Sequence, residues 1–211
     1  MSWRRDPSDW QDRVSLDELL QQTEILPRSF YERPTVEVAR ELLGKVLVHG
    51  ATAGQIVETE AYLGEEDRAA HASRGLTPRT RVLFGPGGHA YVFFIYGMYD
   101  CLNLVAEPEG RPGCVLIRAV EPLCGLAQMR RRRPSARRVE DLASGPGKLC
   151  RALGITRALY GVDVTQGPLT VRRWKREPEF EIVVGPRVGI RHCADWPLRF
   201  YIKGNPFVSR P

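Results

Sequence analysis

One short segment carries two carboxylates and an aromatic ring at alternate positions. Glu58, Glu60 and Tyr62 follow each other at a spacing of two, and side chains at i and i+2 of a β-strand point to the same face. Such a face is typical of a solvated edge strand or of a site in which a carboxylate acts as a general base. Burial in a partly dry pocket raises the pKa of a carboxyl group, which then accepts a proton from water at neutral pH. The spacing does not choose between Glu58 and Glu60.

A loop with three acids and one imidazole comes next in the chain. Glu65, Glu66 and Asp67 precede His71. Carboxylates and imidazoles are ligands for divalent ions, but this spacing matches no established metal motif. We therefore predict that the protein has no metal site. A single histidine such as His71 is more often a hydrogen-bonded structural residue than a catalytic one.

Aromatic residues are concentrated in a predicted β-hairpin. Segments 90–95 and 100–105 have strand patterns, and Tyr-Gly-Met-Tyr at 96–99 joins them as a turn. Apolar side chains at such a tip face water unless a partner covers them. Aromatic wedges beside a basic patch are typical of proteins that unstack a duplex from its minor groove. Rings near a carboxylate are typical of a pocket that stacks an extruded base.

Positive charge is concentrated in one block of the sequence. Residues 111–157 contain eleven Arg and Lys against three acids, although the net charge of the whole chain is only +6. The block indicates either a polyanionic partner or a solvated loop. Lys148 lies in the first turn of a predicted helix after a Ser-Gly-Pro-Gly sequence, which suits an anion but lacks P-loop spacing. The candidate contacts to a nucleic-acid backbone are Arg130, Arg131, Arg132, Arg133 and Lys148.

The elements that must position these groups form a mixed pattern. Helices are predicted from Ser15 through Leu20 and over 35–43, 123–132 and 147–153. Strands are predicted over 45–49, 55–62, 90–95, 100–105, 114–120, 169–174, 180–184 and 198–202. Because strands and helices do not alternate regularly, a doubly wound parallel fold is disfavoured. We predict a single α+β domain with a curved, mostly antiparallel sheet, flanking helices and a protruding aromatic β-hairpin.

Composition and the N-terminal residues indicate the general class of the protein. The 211 residues, 43% apolar and 27% charged, suit a folded soluble domain. The longest apolar run, 91–96, is far shorter than the ~20 residues of a membrane span, and the N-terminus has no apolar signal region. We expect a cytoplasmic protein with no membrane partner, associated with the nucleoid in a bacterium. Residues 1–25 carry six acids against three arginines and are predicted to form an acidic arm before a domain at 26–211.

Several chemistries are disfavoured by the residues that they would need. The five cysteines form no C-x-x-C pair, which disfavours a zinc finger and the zinc-dependent deaminase signature. A lyase that forms a covalent intermediate needs an amine nucleophile. None of the four lysines adjoins the Glu60 segment or the hairpin. Simple hydrolysis without a cofactor is therefore favoured.

Seven motifs, taken together and in order, resemble the 3-methyladenine (alkyladenine) DNA glycosylase family. The resemblance extends from about residue 26 to the C-terminus, and residues 1–25 lie outside it. The motifs are VETEAY at 57–62, AH at 70–71, IYGMYDCLN at 95–103, VLIRAVEP at 115–122, SGPGKLC at 144–150, RVGI at 187–190 and LRFY at 198–201.

The resemblance implies a role for each matching residue. Glu60 would activate the water that attacks the sugar C1′, with Arg118 near that water and the backbone phosphate and the Val188 carbonyl helping to hold it. Tyr96 would be wedged into the duplex, and Asn103 would crowd the 2-amino group of guanine. The walls that sandwich the flipped base would be Tyr62, His71 and Phe93, where Phe93 replaces the tyrosine of some relatives and removes a phenol hydrogen bond.

The resemblance therefore implies a monofunctional glycosylase of base excision repair. It would act on double-stranded DNA containing alkylated or deaminated purines, of the 3-methyladenine, hypoxanthine and ethenoadenine class, and work as a monomer. The alternative is a non-catalytic nucleic-acid-binding protein that stacks bases on the same aromatic rings. An RNA-modification enzyme is a weaker alternative, because a wedge at a hairpin tip suits duplex DNA.

Overall fold

The computed structural model describes residues 11–210, which are organised around one β-sheet. Its strands are β1 (Thr23–Ile25), β2 (Val46–His49), β3 (Thr52–Tyr62), β4 (Ala90–Ile95), β5 (Tyr99–Val105), β6 (Cys114–Cys124), β7 (Leu169–Trp174), β8 (Ile182–Gly185) and β9 (Arg199–Ile202). The α-helices are α1 (Leu16–Gln22), α2 (Arg28–Tyr31), α3 (Thr35–Glu41), α4 (Leu126–Arg132) and α5 (Pro146–Leu153). Every strand pair in this part of the chain is antiparallel, which confirms the predicted α+β class.

Strand β3 lies in the middle of the sheet. The strand order is β1-β7-β2-β3-β6-β5-β4. One edge of β3 pairs with β6, and its other edge pairs first with β2 and then with β9, which also pairs with β8. Glu58 and Glu60 are fully buried on this strand. The structure thus excludes the solvated edge strand, one of the two interpretations of the Glu-x-Glu-x-Tyr pattern.

Irregular pairing between β3 and β6 sets the direction of a buried arginine. Glu58 pairs with Ala119, whereas the next residue, Thr59, pairs with Ile117. Arg118 is therefore an extra residue on β6 at this point. Such β-bulges bend a strand locally and change the direction of a side chain, often beside a functional site.

The segment at 11–25 packs against the sheet. Ser15 caps α1 by accepting a hydrogen bond from the Glu18 amide at 3.2 Å, which confirms the helix predicted there. Leu19 is fully buried, and β1 pairs with β7 and forms one edge of the sheet. The first ten residues of the predicted acidic arm lie outside the described residues. The pairing of β1 was not predicted, because three residues carry too little periodicity to indicate a strand.

Two predicted helices have different bounds in the structure. The helix expected over 123–132 begins only at Leu126, because β6 continues to Cys124 and Gly125, at φ +75°, turns the chain. The helix predicted over 35–43 begins at Thr35 but ends at Glu41, and the Thr35 hydroxyl donates to the Glu107 carboxylate at 2.9 Å.

A small apolar cluster separate from the main core lies beneath the aromatic hairpin. Its buried members are Ala72, Leu83, Tyr91, Val105 and Cys114. The partly buried rings that pack on it include Tyr62 and Phe93. Two short 3-10 helices, His71–Arg74 and Arg81–Phe84, lie in the long connection between β3 and β4, which was predicted as a loop. The sheet and this connection together enclose the candidate site.

Candidate active site

Glu60 is a buried carboxylate held by three donors. Its Oε1 accepts a 2.7 Å hydrogen bond from the Val188 amide and lies 3.2 Å from the Arg118 guanidinium. Its Oε2 accepts a 2.9 Å hydrogen bond from the Tyr62 hydroxyl. The structure thus brings together the residues to which the resemblance assigns the chemistry. Val188 contacts Glu60 through its N–H.

The environment of Glu60 makes its carboxylate a stronger base than an exposed one. Burial raises the pKa of Glu60 above its ordinary value, and Arg118, the Val188 amide and the Tyr62 hydroxyl partly offset that rise. The nearby Glu58 carboxylate raises it further. Burial and Glu60 also raise the pKa of Tyr62, so its phenol keeps the proton that it donates. This is the electrostatic pattern of a general base.

Glu58 has a different set of partners, although it lies only two residues away. Its Oε1 accepts from Nε of Arg118 at 2.9 Å and from Nε of Arg199 at 2.7 Å, and its Oε2 accepts from the Ser209 amide at 2.7 Å. Arg199 also bonds the carbonyl of Arg210. Glu58 therefore anchors the last described residues to the sheet and positions Arg118. The two carboxylates, equivalent in the sequence pattern, are separated by their contacts.

An aromatic pocket of about 140 Å³ opens beside Tyr62. Its lining is mainly apolar and comes from β3, β4, β5, β6, the connection at 69–71 and the segment after β8. The lining residues are Tyr62, Ala69, His71, Tyr91, Phe93, Ile95, Asn103, Cys114, Leu116 and Ile190. All four residues assigned to the base pocket lie on its wall. Because Tyr62 lines the pocket and also bonds Glu60, the carboxylate is connected directly to the pocket wall.

His71 is held as a neutral ring. Its Nδ1 lies 2.8 Å from the Tyr91 hydroxyl. Burial lowers the pKa of His71 to about 4, helped by the charges of Arg79 and Arg74. Burial also raises the pKa of Tyr91 to about 12, so its hydroxyl keeps its proton. The contact is therefore a hydrogen bond between two neutral groups, and its direction depends on the imidazole tautomer.

Phe93 and Asn103 complete the pocket from the hairpin strands. The ring of Phe93 lies 4.6 Å from that of His71, centroid to centroid, in an edge-to-face arrangement. Asn103 is buried, and its amide donates a 3.2 Å hydrogen bond to the Tyr91 carbonyl, its partner in the β4–β5 register. That bond fixes which part of the Asn103 amide faces the pocket.

Tyr96 projects from the hairpin tip. Its side chain is 76% exposed, and Met98 beside it is 63% exposed. Tyr96 and Gly97 both have positive φ, and the Met98 amide bonds the Ile95 carbonyl at 3.2 Å, as in a type I′ turn. The turn therefore holds a tyrosine in a left-handed conformation that is unfavourable for most side chains.

The four consecutive arginines have different surroundings. Arg130 and Arg131 are exposed near the end of α4. Arg132 donates to the Ala152 carbonyl at 2.9 Å, and Arg133 donates to the Asp141 carbonyl at 3.2 Å. Lys148 is partly buried at the start of α5, with its Nζ 3.4 Å from Ser144 Oγ. The last two arginines thus contribute to the packing of this region as well as to its charge.

Residues that the sequence analysis did not single out also shape the site. Tyr91 lies two residues before Phe93 on the same strand face, so period-two spacing could have identified it. Arg79 lies with its guanidinium carbon 5.4 Å from the centroid of the Phe93 ring. Arg187 and Asp67 form a buried ion pair behind Tyr62, which no local pattern indicates because the two residues are 120 positions apart.

Two negative findings concern the described part of the chain. Within residues 11–210, no group of three or more His, Cys, Asp or Glu side chains is placed to hold a metal ion. The longest α-helix described, α5, has eight residues, too few to cross a bilayer.

Comparisons with known proteins identify the family of the chain. The methylpurine-DNA glycosylase (MPG) family matches residues 29–206. A protein of Methanocella arvoryzae, named as a candidate 3-methyladenine DNA glycosylase, is 54% identical over 194 residues, covering 88% of this chain and 96% of its own. A protein of Legionella pneumophila strain Corby with the same name is 45% identical over 192 residues, covering 88% and 98%. The chain therefore belongs to the methylpurine-DNA glycosylase family and is a DNA N-glycosylase.

Proposed function

We propose that this protein is a monofunctional glycosylase of base excision repair that removes alkylated or deaminated purines from duplex DNA. Its substrates would be of the 3-methyladenine, hypoxanthine and ethenoadenine class. The observation that carries the proposal is the 2.9 Å hydrogen bond from Tyr62, a wall of the aromatic pocket, to the buried Glu60 carboxylate. A base stacked in that pocket would bring its sugar C1′ close to a carboxylate of raised pKa.

Glu60 would act as the general base. It takes one proton from a water molecule while the water oxygen bonds to C1′, and the electron pair of the C1′–N bond leaves with the purine. Arg118 would stabilise the negative charge of Glu60 before the transfer, since its guanidinium lies 3.2 Å from the carboxylate. General bases of this kind contribute about 10²- to 10⁴-fold to rate.

The pocket would select and hold the extruded base. Tyr62, His71 and Phe93 offer π-surfaces, and flipped bases are read by stacking and by contacts to their edges. His71, with a pKa of about 4, is neutral at pH 7 and would stack rather than protonate the leaving purine. An N3-alkylated purine carries a positive charge and departs as a neutral molecule, so its release needs no proton donor. A neutral base such as hypoxanthine would depart as an anion that takes up a proton from solvent, while Glu60 returns its own proton to solvent.

The exposed features around the pocket would bind and deform the duplex. Tyr96 at the hairpin tip would fill the gap left by the flipped nucleotide, as apolar wedges do in other minor-groove binders. The positive charge would come from the predicted phosphate contacts at 130–133 and Lys148, and from Arg79 beside the pocket. We further propose that the enzyme acts as a monomer, that its catalytic domain spans residues 26–211 and that residues 1–25 form an arm outside the resemblance.

The lining of the pocket supports simple hydrolysis. No lysine lines it within the described residues. Lys45 is buried in an ion pair with Glu177 at 2.7 Å, and Lys203 pairs with Glu181. A lyase needs a reactive amine at the sugar carbon. We therefore expect an intact abasic strand as the product.

The test is release of bases from defined duplexes. The protein is incubated with duplexes containing hypoxanthine or 3-methyladenine, and released bases are measured by chromatography and abasic sites by alkaline cleavage. We expect stoichiometric bases and abasic sites, no strand break before alkali, and no release by Glu60→Gln. Tight binding to an abasic-site analogue without any base release by the wild-type protein would favour the non-catalytic alternative.

A further inference from the structure

A buried ion pair lies directly behind the proposed catalytic residues. Arg187 and Asp67 are both fully buried. The guanidinium of Arg187 bonds the Asp67 carboxylate through two nitrogens, at 2.5 and 2.9 Å. The pair joins the segment after β8 to the connection after β3. Paired carboxylate and guanidinium groups with this fork geometry fix orientation more strictly than single-point contacts.

Arg187 also contacts the strand that carries Glu60. One of its nitrogens donates to the Ala61 carbonyl at 3.1 Å, and its guanidinium carbon lies 4.7 Å from the centroid of the Tyr62 ring. The next residue, Val188, donates its amide to Glu60 at 2.7 Å. A shift of Arg187 would therefore move both the Tyr62 ring and the Val188 amide relative to the carboxylate.

Asp67, the other member of the pair, holds the connection after β3 in its fold. Its carboxylate accepts from the Leu63 amide and the Ala69 amide, each at 3.1 Å. Its own backbone carbonyl accepts from the Ala70 amide at 2.8 Å. These bonds fold the connection that places Ala69 and His71 on the pocket wall. One ion pair thus links three parts of the site: the end of β3, the His71 connection and the Val188 segment.

We propose that Asp67 and Arg187 are positioning residues, which set the Val188 amide and the Tyr62 ring against Glu60. The inference rests on the proposed role of Glu60 as the base. Neither Asp67 nor Arg187 lines the pocket itself, so the pair would act through Tyr62 and Val188. Displacements of about 1 Å far from the chemistry can cost about 10²-fold in rate.

The inference predicts a specific change in the pH profile. The Val188 amide lowers the pKa of Glu60 by bonding its charged form. If Arg187 no longer holds that segment, the amide moves away and the pKa of Glu60 rises. The acidic limb of the excision rate, which reports ionisation of the base, then moves to higher pH. Movement of Tyr62 would act in the same direction, because its hydrogen bond also lowers the pKa of Glu60. The other charged groups around this carboxylate, Glu58, Arg118 and Arg199, stay in place.

Arg187→Lys tests the fork without removing the charge, because a lysine cannot bond both Asp67 oxygens and the Ala61 carbonyl together. Asp67→Asn tests the other partner. The matched control is Arg28→Lys. Arg28 also pairs with an aspartate, Asp163, and with a backbone carbonyl, that of Gly87, each at 2.5 Å. The measurements are thermal unfolding, affinity for an abasic-site duplex and single-turnover excision of hypoxanthine from pH 4 to 9.

We expect Arg187→Lys and Asp67→Asn to lower the excision rate by about 10- to 100-fold, while duplex affinity stays near wild type. Arg187→Lys, which keeps the charge, should also shift the acidic limb of the pH–rate profile to higher pH. The Arg28→Lys control should lose thermal stability without moving that limb. An unmoved limb in Arg187→Lys would overturn the inference. So would loss of the folded state in both Arg187→Lys and Asp67→Asn, which would assign the pair to stability alone.

A titration independent of activity separates this inference from the proposed function. Glu60 is followed by ¹³C NMR of its carboxyl carbon, assigned with Glu60→Gln. A wild-type protein that excises no purine would overturn the proposed function. The Glu60 titration would still be decisive for the ion pair, because a higher Glu60 pKa in Arg187→Lys supports positioning and an unchanged one contradicts it.

Discussion

The Tyr62 hydroxyl donates a 2.9 Å hydrogen bond to Oε2 of Glu60. This contact couples the pocket wall to the carboxylate, because Tyr62 cannot move without disturbing Glu60. A base that stacks on Tyr62 would thus be held at a fixed position relative to the proposed general base. Enzymes gain much of their rate from holding reacting groups in such fixed relationships.

Glu60→Gln should abolish excision and keep binding. The amide has nearly the shape of the carboxylate but cannot accept the water proton, so we expect a fall of at least ~10²- to 10⁴-fold. Affinity for an abasic-site duplex should persist, since the basic surface and the aromatic walls are unchanged. Single-turnover release of hypoxanthine measures the rate. Near-normal excision by this variant would refute the mechanism.

Glu58→Gln is the matched control on the same strand. It removes a negative charge between Arg118 and Arg199, both of which bond Glu58. Leaving buried arginines without their partner destabilises a fold strongly, so thermal stability should fall. Excision per folded molecule should fall much less than in Glu60→Gln. Equal losses in the two variants, with binding intact, would mean that the carboxylates act as a coupled pair.

His71 should make stability depend on pH in a defined window. Its pKa is about 4 in the folded protein and about 6.5 in an unfolded chain. As the pH falls below about 6.5 the unfolded chain takes up the proton first. The contribution of His71 to stability is therefore complete above that value and is lost as the pH approaches 4.

Urea unfolding from pH 4 to 7 checks this sign. The free energy of unfolding of the wild type should rise with pH across the window, and His71→Gln should flatten that rise. NMR titration of the ring should place its midpoint near the folded value. A midpoint near 6.5 would show that the Tyr91 contact and burial do not hold the ring neutral.

The sequence predicted the strands of the site well because they carry strong local signals. Period-two spacing indicated that Glu58, Glu60 and Tyr62 share a face, and the hairpin was marked by Gly97 between aromatic strands. What it could not supply was the partner of each carboxylate. The Val188 amide and Arg199 reach Glu60 and Glu58 from segments more than 120 residues away, and only tertiary pairing determines which contact goes to which.

Irregular features were also beyond sequence patterns. The bulge that turns Arg118 toward both carboxylates depends on the register between β3 and β6. Neither strand contains a signal such as glycine at that point. All four arginines at 130–133 were interpreted alike, as candidate nucleic-acid contacts or as a solvated loop, yet Arg132 and Arg133 bond backbone carbonyls of neighbouring segments. Charge counts do not reveal which arginines are used in packing.

Asn103→Ala should widen the range of purines released. Guanine carries a 2-amino group that adenine and hypoxanthine lack, and a side chain crowding that position leaves it clashing or unpaired. Such a defect is worth ~1–3 kcal/mol. We expect the ratio of guanine-type to adenine-type lesions released to increase, measured with 7-methylguanine and 3-methyladenine in one methylated duplex. A ratio equal to that of the wild type would show that Asn103 does not discriminate.

Arg131→Gln should weaken binding to any duplex and reduce its salt dependence. Arg131 is exposed on α4, and removal of one phosphate-binding charge lowers the slope of log K against log salt by ~0.9. Thermal stability should not change. Arg132→Gln, which removes the bond to the Ala152 carbonyl, should instead lower thermal stability. An unchanged slope in Arg131→Gln would mean that this arginine is only solvated.

Tyr96→Ala should act on base flipping rather than on the chemical step. The exposed ring at the hairpin tip would replace the extruded nucleotide in the stack, and unstacking a paired base costs a few kcal/mol. If the Tyr96 ring no longer offsets this cost, the population of the flipped base falls about tenfold for each 1.4 kcal/mol. We therefore expect excision of hypoxanthine from a fully paired duplex to fall by at least about tenfold.

The fall in the excision rate of Tyr96→Ala should be smaller for a base whose extrusion costs less free energy. A lesion opposite a mismatch, or in single-stranded DNA, is less well stacked and paired before it is extruded. Its rate of excision by Tyr96→Ala should therefore be closer to that by the wild type. Met98→Ala is the control, because Met98 is 63% exposed on the same turn. It should change excision little if Tyr96 alone enters the duplex. Equal losses on paired and mispaired lesions would place the defect in the pocket or the chemistry and would contradict a wedge role for Tyr96.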